Sequence, residues 1–494
     1  MSVYKIHNEK QSNRLSHTVW LSLIVLVAVL FALTITIVNG SITLSDKSVL
    51  TLVLFALNGV IGLIFLSKSI LDAPVSLVQI HWMFYVTMFV IAPVSQYLYN
   101  YSPWGYAISS DIYAQTNILI MLWGLLFGLL TSLKKNAPLH EVLSEPSFFH
   151  KFPRIGTSSE WIIFLIALAA TLITVYLVGF SNLFLRADFT TNLDKTSGLI
   201  FDKFIRPMPV FAFALLFIRY KQTRSLSPLL ILTFVMVLLA DFPTAMARYN
   251  MACIYGGLAL LVFSPLREKR GLFPVIFLLA FLVVLPAGNS YRFESISFFD
   301  FIESILAAFS NLSQGFCAVD YDAYSMVART WLYVRDIGIS YGYQLLGVLL
   351  FFVPRSFWPS KPEGSGNLVA EAQGQAQLNI SSPLPAEGLI NFGIVGLVIF
   401  AVLLAILCRR ADSWYQRSNS PFTVFCFFAY FLLFFVCRGD LLSSFAFAAG
   451  YFVVYTVLAA IAFGPNLFKK STRVASNSRY ADAALDSDAR MLRT

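Results

Sequence analysis

The feature that most constrains this chain is a recurring run of about 20 apolar residues. The first, TVWLSLIVLVAVLFALTITIV at residues 18–38, holds no charge over 21 positions. An α-helix rises 1.5 Å per residue, so about 20 residues cross a hydrocarbon layer some 30 Å thick. Further runs predict helices at 49–67, 75–96, 112–132, 160–179, 204–218, 227–241, 244–264, 272–288, 386–407, 421–437 and 442–463. Only 12% of the 494 residues are charged, too few to coat a soluble surface. The reading is an all-α polytopic membrane protein of about twelve transmembrane helices. The run at 18–38 follows Lys5, Lys10 and Arg14 but leads into NGSITLSD rather than a small-residue cleavage site, so we read it as a retained span.

The net charge of +9 is a topology signal. With the N-terminus inside, 23 of the 35 Lys and Arg fall on the cytoplasmic side, in turns such as TSLKKN, IRYKQTR and CRRADSWYQR. That places both termini in the cytoplasm and argues against nucleic acid as a partner. The expected organisation is a cytoplasmic N-terminus at 1–17, nine spans within 18–288, a large outer loop at 289–385, three spans within 386–463 and a disordered cytoplasmic tail at 464–494. The five cysteines lack metal-ligand spacing and imply no disulfide framework.

The other twelve cations lie outside and, Lys47 aside, are clustered: Arg186, Lys195, Lys203 and Arg206 in one connection, Arg248 at a span start, Arg292, Arg329, Arg335, Arg355 and Lys361 in the long loop, and Arg438 between two late spans. An arginine at a membrane boundary is costly, which makes it a functional candidate. Snorkelling to headgroups is the plainer explanation for any single one. With no matching carboxylates nearby in sequence, the set suits an anionic ligand, above all a lipid diphosphate. Neither an HExxH motif nor a Cys/His cluster suggests a metal, and none of the five histidines lies in an outer loop. His81 reads as a packed residue of the third span. Among outer carboxylates Glu387, at the mouth of a span, is the leading base candidate. A helix N-terminal charge explains it equally well. Asp320, Asp322 and Asp336 are weaker candidates, and Glu363 reads as solvated.

The long loop carries structure of its own. Tyr324, Val327, Trp331 and Val334 share one helical face. The run YGYQLLGVLLFFV at 341–353 is too short to span and ends at Pro354. Arg355 and Lys361 follow on a proline-braced turn, and the small polar segment beyond reads as a flexible cover. Trp331, Tyr333, Tyr341, Tyr343 and Trp358 suit an interfacial aromatic belt better than a sugar platform.

The sequence VPRSFWPSKP, then a small polar stretch, then AEGLINFGIVGLVI opening a helix, resembles bacterial polysaccharide repeat-unit polymerases of the Wzy type. MARYNM at a span start and CRGDLL between late spans are similar to further positions of that family. The resemblance implies a GT-C-type, inverting, metal-independent glycosyltransferase of the bacterial inner membrane, using no cofactor. Its donor and acceptor would be undecaprenyl-diphosphate-linked oligosaccharides on the periplasmic face, and a chain-length regulator protein would be a partner. It puts Arg248, Arg355, Lys361 and Arg438 at the diphosphate, where Arg186 joins them as a further outer-face cation, and Glu387 with Arg355 and Arg248 in the chemistry. The related O-antigen ligases use a periplasmic-loop histidine that this chain lacks, which favours polymerase over ligase. A lipid-linked oligosaccharide flippase is the competing class, and it would show internal repeats that we do not find.

Overall fold

The computed structural model describes residues 46–133, 147–184, 186, 189, 193–281, 299, 300, 303, 306 and 314–468. Within them every regular element is helical. Seven of the helices among the described residues are long and apolar enough to cross a membrane: α1 (Val49–Asp72), α2 (Leu77–Leu98), α3 (Ser110–Ser132), α4 (Thr157–Val178), α6 (Pro228–Ala240, extending to Ala245), α12 (Leu384–Arg417) and α14 (Leu441–Phe463). The expected spans at 204–218 and 421–437 appear as the shorter α5 (Met208–Thr223) and α13 (Phe422–Arg438). That at 244–264 becomes α7 (248–262), interrupted by a π-helical stretch, Ala252–Gly256. The one at 272–288 is described to residue 281, with α8 at Leu272–Leu279, while 18–38 and the tail beyond 468 lie outside the described residues.

Local chemistry sets several boundaries. Ser48 and Ser76 accept from Thr51 N and Gln79 N and so cap α1 and α2. In α2 the ladder widens to i→i−5 over Tyr85–Ile91, just before Pro93, which has no N–H to give. The helices pack in two groups, α1, α2, α3 and α12 on one side and α4, α5, α6 and α14 on the other, with α13 touching α2 and α14. Polar pairs stitch the first group: Asn58 Nδ2 donates to Asn117 Oδ1 at 3.0 Å, and Tyr85 donates to Asn58 at 2.6 Å. Such pairs contribute about 0.6 kcal/mol each between membrane helices. His81 is buried against Phe127, accepting from Trp123 Nε1 at 3.0 Å, in keeping with a packing role.

Between α8 and α12 lie α9 (Ala323–Asp336), α10 (Tyr343–Leu349) and α11 (Ser365–Ala372). Helix α9 buries Tyr324 and Val327 against the bundle, and α10 is too short to span. Helix α11 corrects the expectation of a flexible cover, because Ser365, Gly366, Val369 and Ala370 are buried.

Helix α12 is discontinuous. Phe392 and Gly393 leave helical geometry, and Gly393 takes φ 64° with ψ −149°, a region essentially reserved for glycine. The freed carbonyls are not left bare. Ser340 N donates to Ile390 O at 2.8 Å and Gly342 N to Asn391 O at 3.2 Å, while Asn391 Oδ1 accepts from Leu345 N at 2.9 Å. Irregular backbone amid apolar helices needs such internal partners. The half-helix 384–391 thus holds α10 on one side and α11 on the other.

Candidate functional site

The contacts sort the cations by end of the bundle. At one end Arg219 pairs with Glu160 at 2.7 Å and Arg409 donates to Leu130 O at 2.7 Å. At the other end the N-termini of α9, α12 and α14 and the C-terminus of α13 gather, and Arg248, Arg438, Asp320, Asp322 and Glu387 lie there.

A single short turn organises that end. Val319–Tyr321, a 3₁₀ turn leading into α9, sets Asp320 and Asp322 two residues apart. Asp320 Oδ2 accepts from Arg248 Nη1 at 2.7 Å. Asp322 has no exposure and is fully engaged: Oδ1 accepts from Arg438 Nη2 at 3.0 Å and Ser381 Oγ at 2.8 Å, and Oδ2 from Trp104 Nε1 at 2.8 Å. Trp104 reaches it from a backbone with φ 60°, a conformation unusual for a bulky residue. Arg248 opens α7, and Arg438 closes α13, where the helix dipole favours a cation. The expectation of arginines without nearby carboxylates is therefore corrected. The acids come from 72 and 116 residues away in sequence and only the fold brings them in.

Arg248, Arg438 and Asp320 lie at the polar edge of a cavity of about 450 Å³. Its remaining wall is almost wholly apolar, supplied by α7, α8 and α13 through Tyr255, Phe273, Phe277, Phe431 and Phe434 among others. Aromatic carbon on most sides and a guanidinium pair at one edge suit a ligand with an apolar tail and an anionic head.

No family model matches the chain, and neither the curated proteins nor the solved structures contain a match.

Arg355 and Lys361 do not line that cavity. They staple their own turn: Arg355 donates from Nη1 to Lys361 O at 2.6 Å and from Nη2 to Pro362 O at 3.3 Å, and Lys361 Nζ donates to Phe351 O at 2.7 Å and Val353 O at 3.0 Å. Glu363 stands 3.8 Å from Arg355 with 55% of its side chain exposed, solvated as expected. Burial, and then the charge of Arg355, lowers the Lys361 pKa. Arg186 lies in the field of Asp202, and its charge also reaches Tyr249 on the cavity wall; burial raises the Asp202 pKa while Arg206, Arg186 and Lys203 oppose that. Replacing Arg355 by Ala removes two bonds to carbonyls at an exposed turn. We expect a loss of about 1 kcal/mol or less in global stability, with faster proteolytic cutting within 350–364 as the direct readout.

Glu387 occupies a different position from the one expected. It is 1% exposed, at the centre of a clasp rather than at an open mouth. Oε1 accepts from Leu441 N at 3.1 Å and Oε2 from Ser365 Oγ at 2.7 Å. Beside it Asp440 caps α14, with Oδ1 accepting from Leu442 N and Ser443 N and Oδ2 from Gly366 N at 3.2 Å. Two carboxylates thus meet three helix N-termini, each offering unsatisfied N–H groups and a positive dipole end. A Cβ on Gly364 would overlap the Asp440 carboxylate, so the GSG sequence at 364–366 is a steric condition of the clasp. Asp440 went unmarked in the sequence, although an Asp just before an apolar helix is a cap signal.

Burial raises the Asp440 pKa, its backbone donors opposing that. The folded state therefore holds a proton that the unfolded state, with a carboxyl pKa of about 4, gives up. Asp440 contributes most to stability below about pH 4, and its contribution falls as pH rises through the raised folded value. Thermal unfolding from pH 4 to 8 should show this decline, and Asp440→Asn should make it shallower.

Proposed function

We propose that this protein is a polysaccharide repeat-unit polymerase, transferring a growing glycan from undecaprenyl diphosphate to a hydroxyl of the next lipid-linked unit. The observation that supports it best is the cavity edged by Arg248 and Arg438 and otherwise walled by aromatic and aliphatic carbon. In this reading the polyprenyl chain lies along α7, α8 and α13, and the diphosphate meets the two guanidinium groups. The twelve-span GT-C-type architecture, the periplasmic placement of this end, the bacterial inner membrane and a chain-length regulator as partner belong to the same proposal.

The chemistry follows from the residues at the cavity edge. The acceptor oxygen attacks the anomeric carbon, the bond from that carbon to the diphosphate oxygen breaks, and the leaving diphosphate takes the electron pair. A single displacement inverts the anomeric centre. Arg248 and Arg438 stabilise the charge that grows on the leaving group, a role fixed guanidinium groups fill without reorganising. The acceptor proton passes to a carboxylate. Asp320 takes that role in place of Glu387, because Asp320 lines the cavity while Glu387 is enclosed by α11 and α14. Diphosphate binding to Arg248 would compete with Asp320 for the guanidinium and free the carboxylate beside the reacting centre.

Asp320→Asn tests the assignment. A lost general base lowers turnover by about 10²–10⁴-fold, with KM for the lipid-linked donor little changed. A variant that turns over normally removes Asp320 from the mechanism.

A further inference from the structure

Among the buried cations that the mechanism above does not use, one is fully enclosed. Arg329, on α9, has no exposed surface. Its Nε donates to Gln373 Oε1 at 2.7 Å, and Gln373 Nε2 donates back to the Arg329 carbonyl at 3.1 Å. The Tyr106 ring lies 5.0 Å from the guanidinium carbon. Among the described residues neither Nη1 nor Nη2 has an acceptor, although both are buried. The carboxylate whose charge reaches it, Asp322, is already held by Arg438, Ser381 and Trp104.

A guanidinium stays charged in proteins, and a buried charge without a counter-charge is strongly unfavourable. With Nε taken by Gln373, the two amino groups present the forked edge that matches the two oxygens of a carboxylate or phosphate. Arg335 and Asp336, further along α9, bond to each other and supply no counter-charge. The cover is thin. Gln373 ends α11, Gly374 follows with φ 67°, and residues 376–379 are exposed.

We propose that Arg329 is the recognition group of a second ligand site, taking a small oxyanion, carboxylate or phosphate, beneath Tyr106 between α9 and the segment joining α11 to α12. The site is separate from the Arg248–Arg438 cavity and does not depend on the polymerase reading. The oxyanion is either a charged substituent of a sugar or a phosphate.

The test uses the full chain in lipid nanodiscs and follows thermal unfolding against sodium phosphate, sodium glucuronate and glucose, with sodium chloride at matched ionic strength. Phosphate or glucuronate should raise Tm saturably by about 2 °C or more at a large excess over Kd, and glucose should not. A rise with glucuronate alone assigns the site to acidic sugars, and a rise with phosphate assigns it to phosphate. Arg329→Gln should abolish the rise, while a variant lacking both Arg248 and Arg438 should keep it. Gln373→Glu supplies a carboxylate in cis and should raise the anion-free Tm while removing the response. If neither anion shifts Tm, or the shift survives Arg329→Gln, the proposal fails. It fails equally if Gln373→Glu leaves both Tm and the response unchanged.

Discussion

Arg438→Ala should leave single lipid-linked repeat units unjoined, with the transfer rate down by about 10²–10³-fold, the usual result of removing one fixed donor to developing negative charge. Two effects are mixed in that variant. Arg438 stabilises the leaving diphosphate in the proposed mechanism, and it is also the cation that neutralises Asp322, which has no exposure. Taking away one member of a buried pair costs about 3–5 kcal/mol, and the cost here lies below that range because 27% of the Arg438 side chain is exposed to solvent. The double variant Arg438→Ala with Asp322→Asn separates the two. It removes the stranded carboxylate and should recover most of the lost Tm without recovering transfer. Recovery of both would make Arg438 a structural residue. The unpolymerised units should be found on the outer face of the membrane. Accumulation on the cytoplasmic face would point to a failed flippase.

The second large effect is expected at Glu387. Glu387→Ala leaves the Leu441 N–H and the Ser365 hydroxyl buried without their acceptors, and at about 1–3 kcal/mol for each orphaned group the clasp should open. Released, α11 no longer holds the half-helix 384–391 against α14. Tm and protease resistance of 364–376 should fall together. Glu387→Gln keeps an acceptor for one of the two donors and the same shape, so it should fold well and transfer at close to the parent rate. A Gln variant that keeps its Tm but loses transfer would restore Glu387 as the base and displace Asp320.

These two residues also show where the sequence was legible. Arg248 and Arg438 could be picked out because a cation at a span boundary is rare enough to be noticed alone. Their acids could not be matched to them, since Asp320 and Asp322 sit in an unremarkable turn far along the chain and only the docking of α9 delivers both. The apolar runs predicted the long helices well, because 20 consecutive apolar residues leave few alternatives. They fared less well where packing overrides the pattern. Within 386–407 the run looks continuous, yet Gly393 breaks it, and the glycine in NFGIVG could equally have been a small packing residue. The proline-braced turn was read as cations offered to a ligand. In the structure Arg355 and Lys361 satisfy backbone carbonyls of their own loop, a use that short-range sequence does not distinguish from binding. GSG at 364–366 read as flexible because glycine permits flexibility, whereas here it provides room for the Asp440 carboxylate.

The most direct measurement of the central claim is product length in proteoliposomes holding only this protein and undecaprenyl-diphosphate-linked repeat units offered on the face that carries Arg248 and Arg438. The account predicts lipid-linked products of two or more units, release of undecaprenyl diphosphate in step with each bond formed, and neither in the Arg438→Ala, Asp322→Asn protein. Units that cross the bilayer unjoined, or products that form as readily without Arg438, would contradict it.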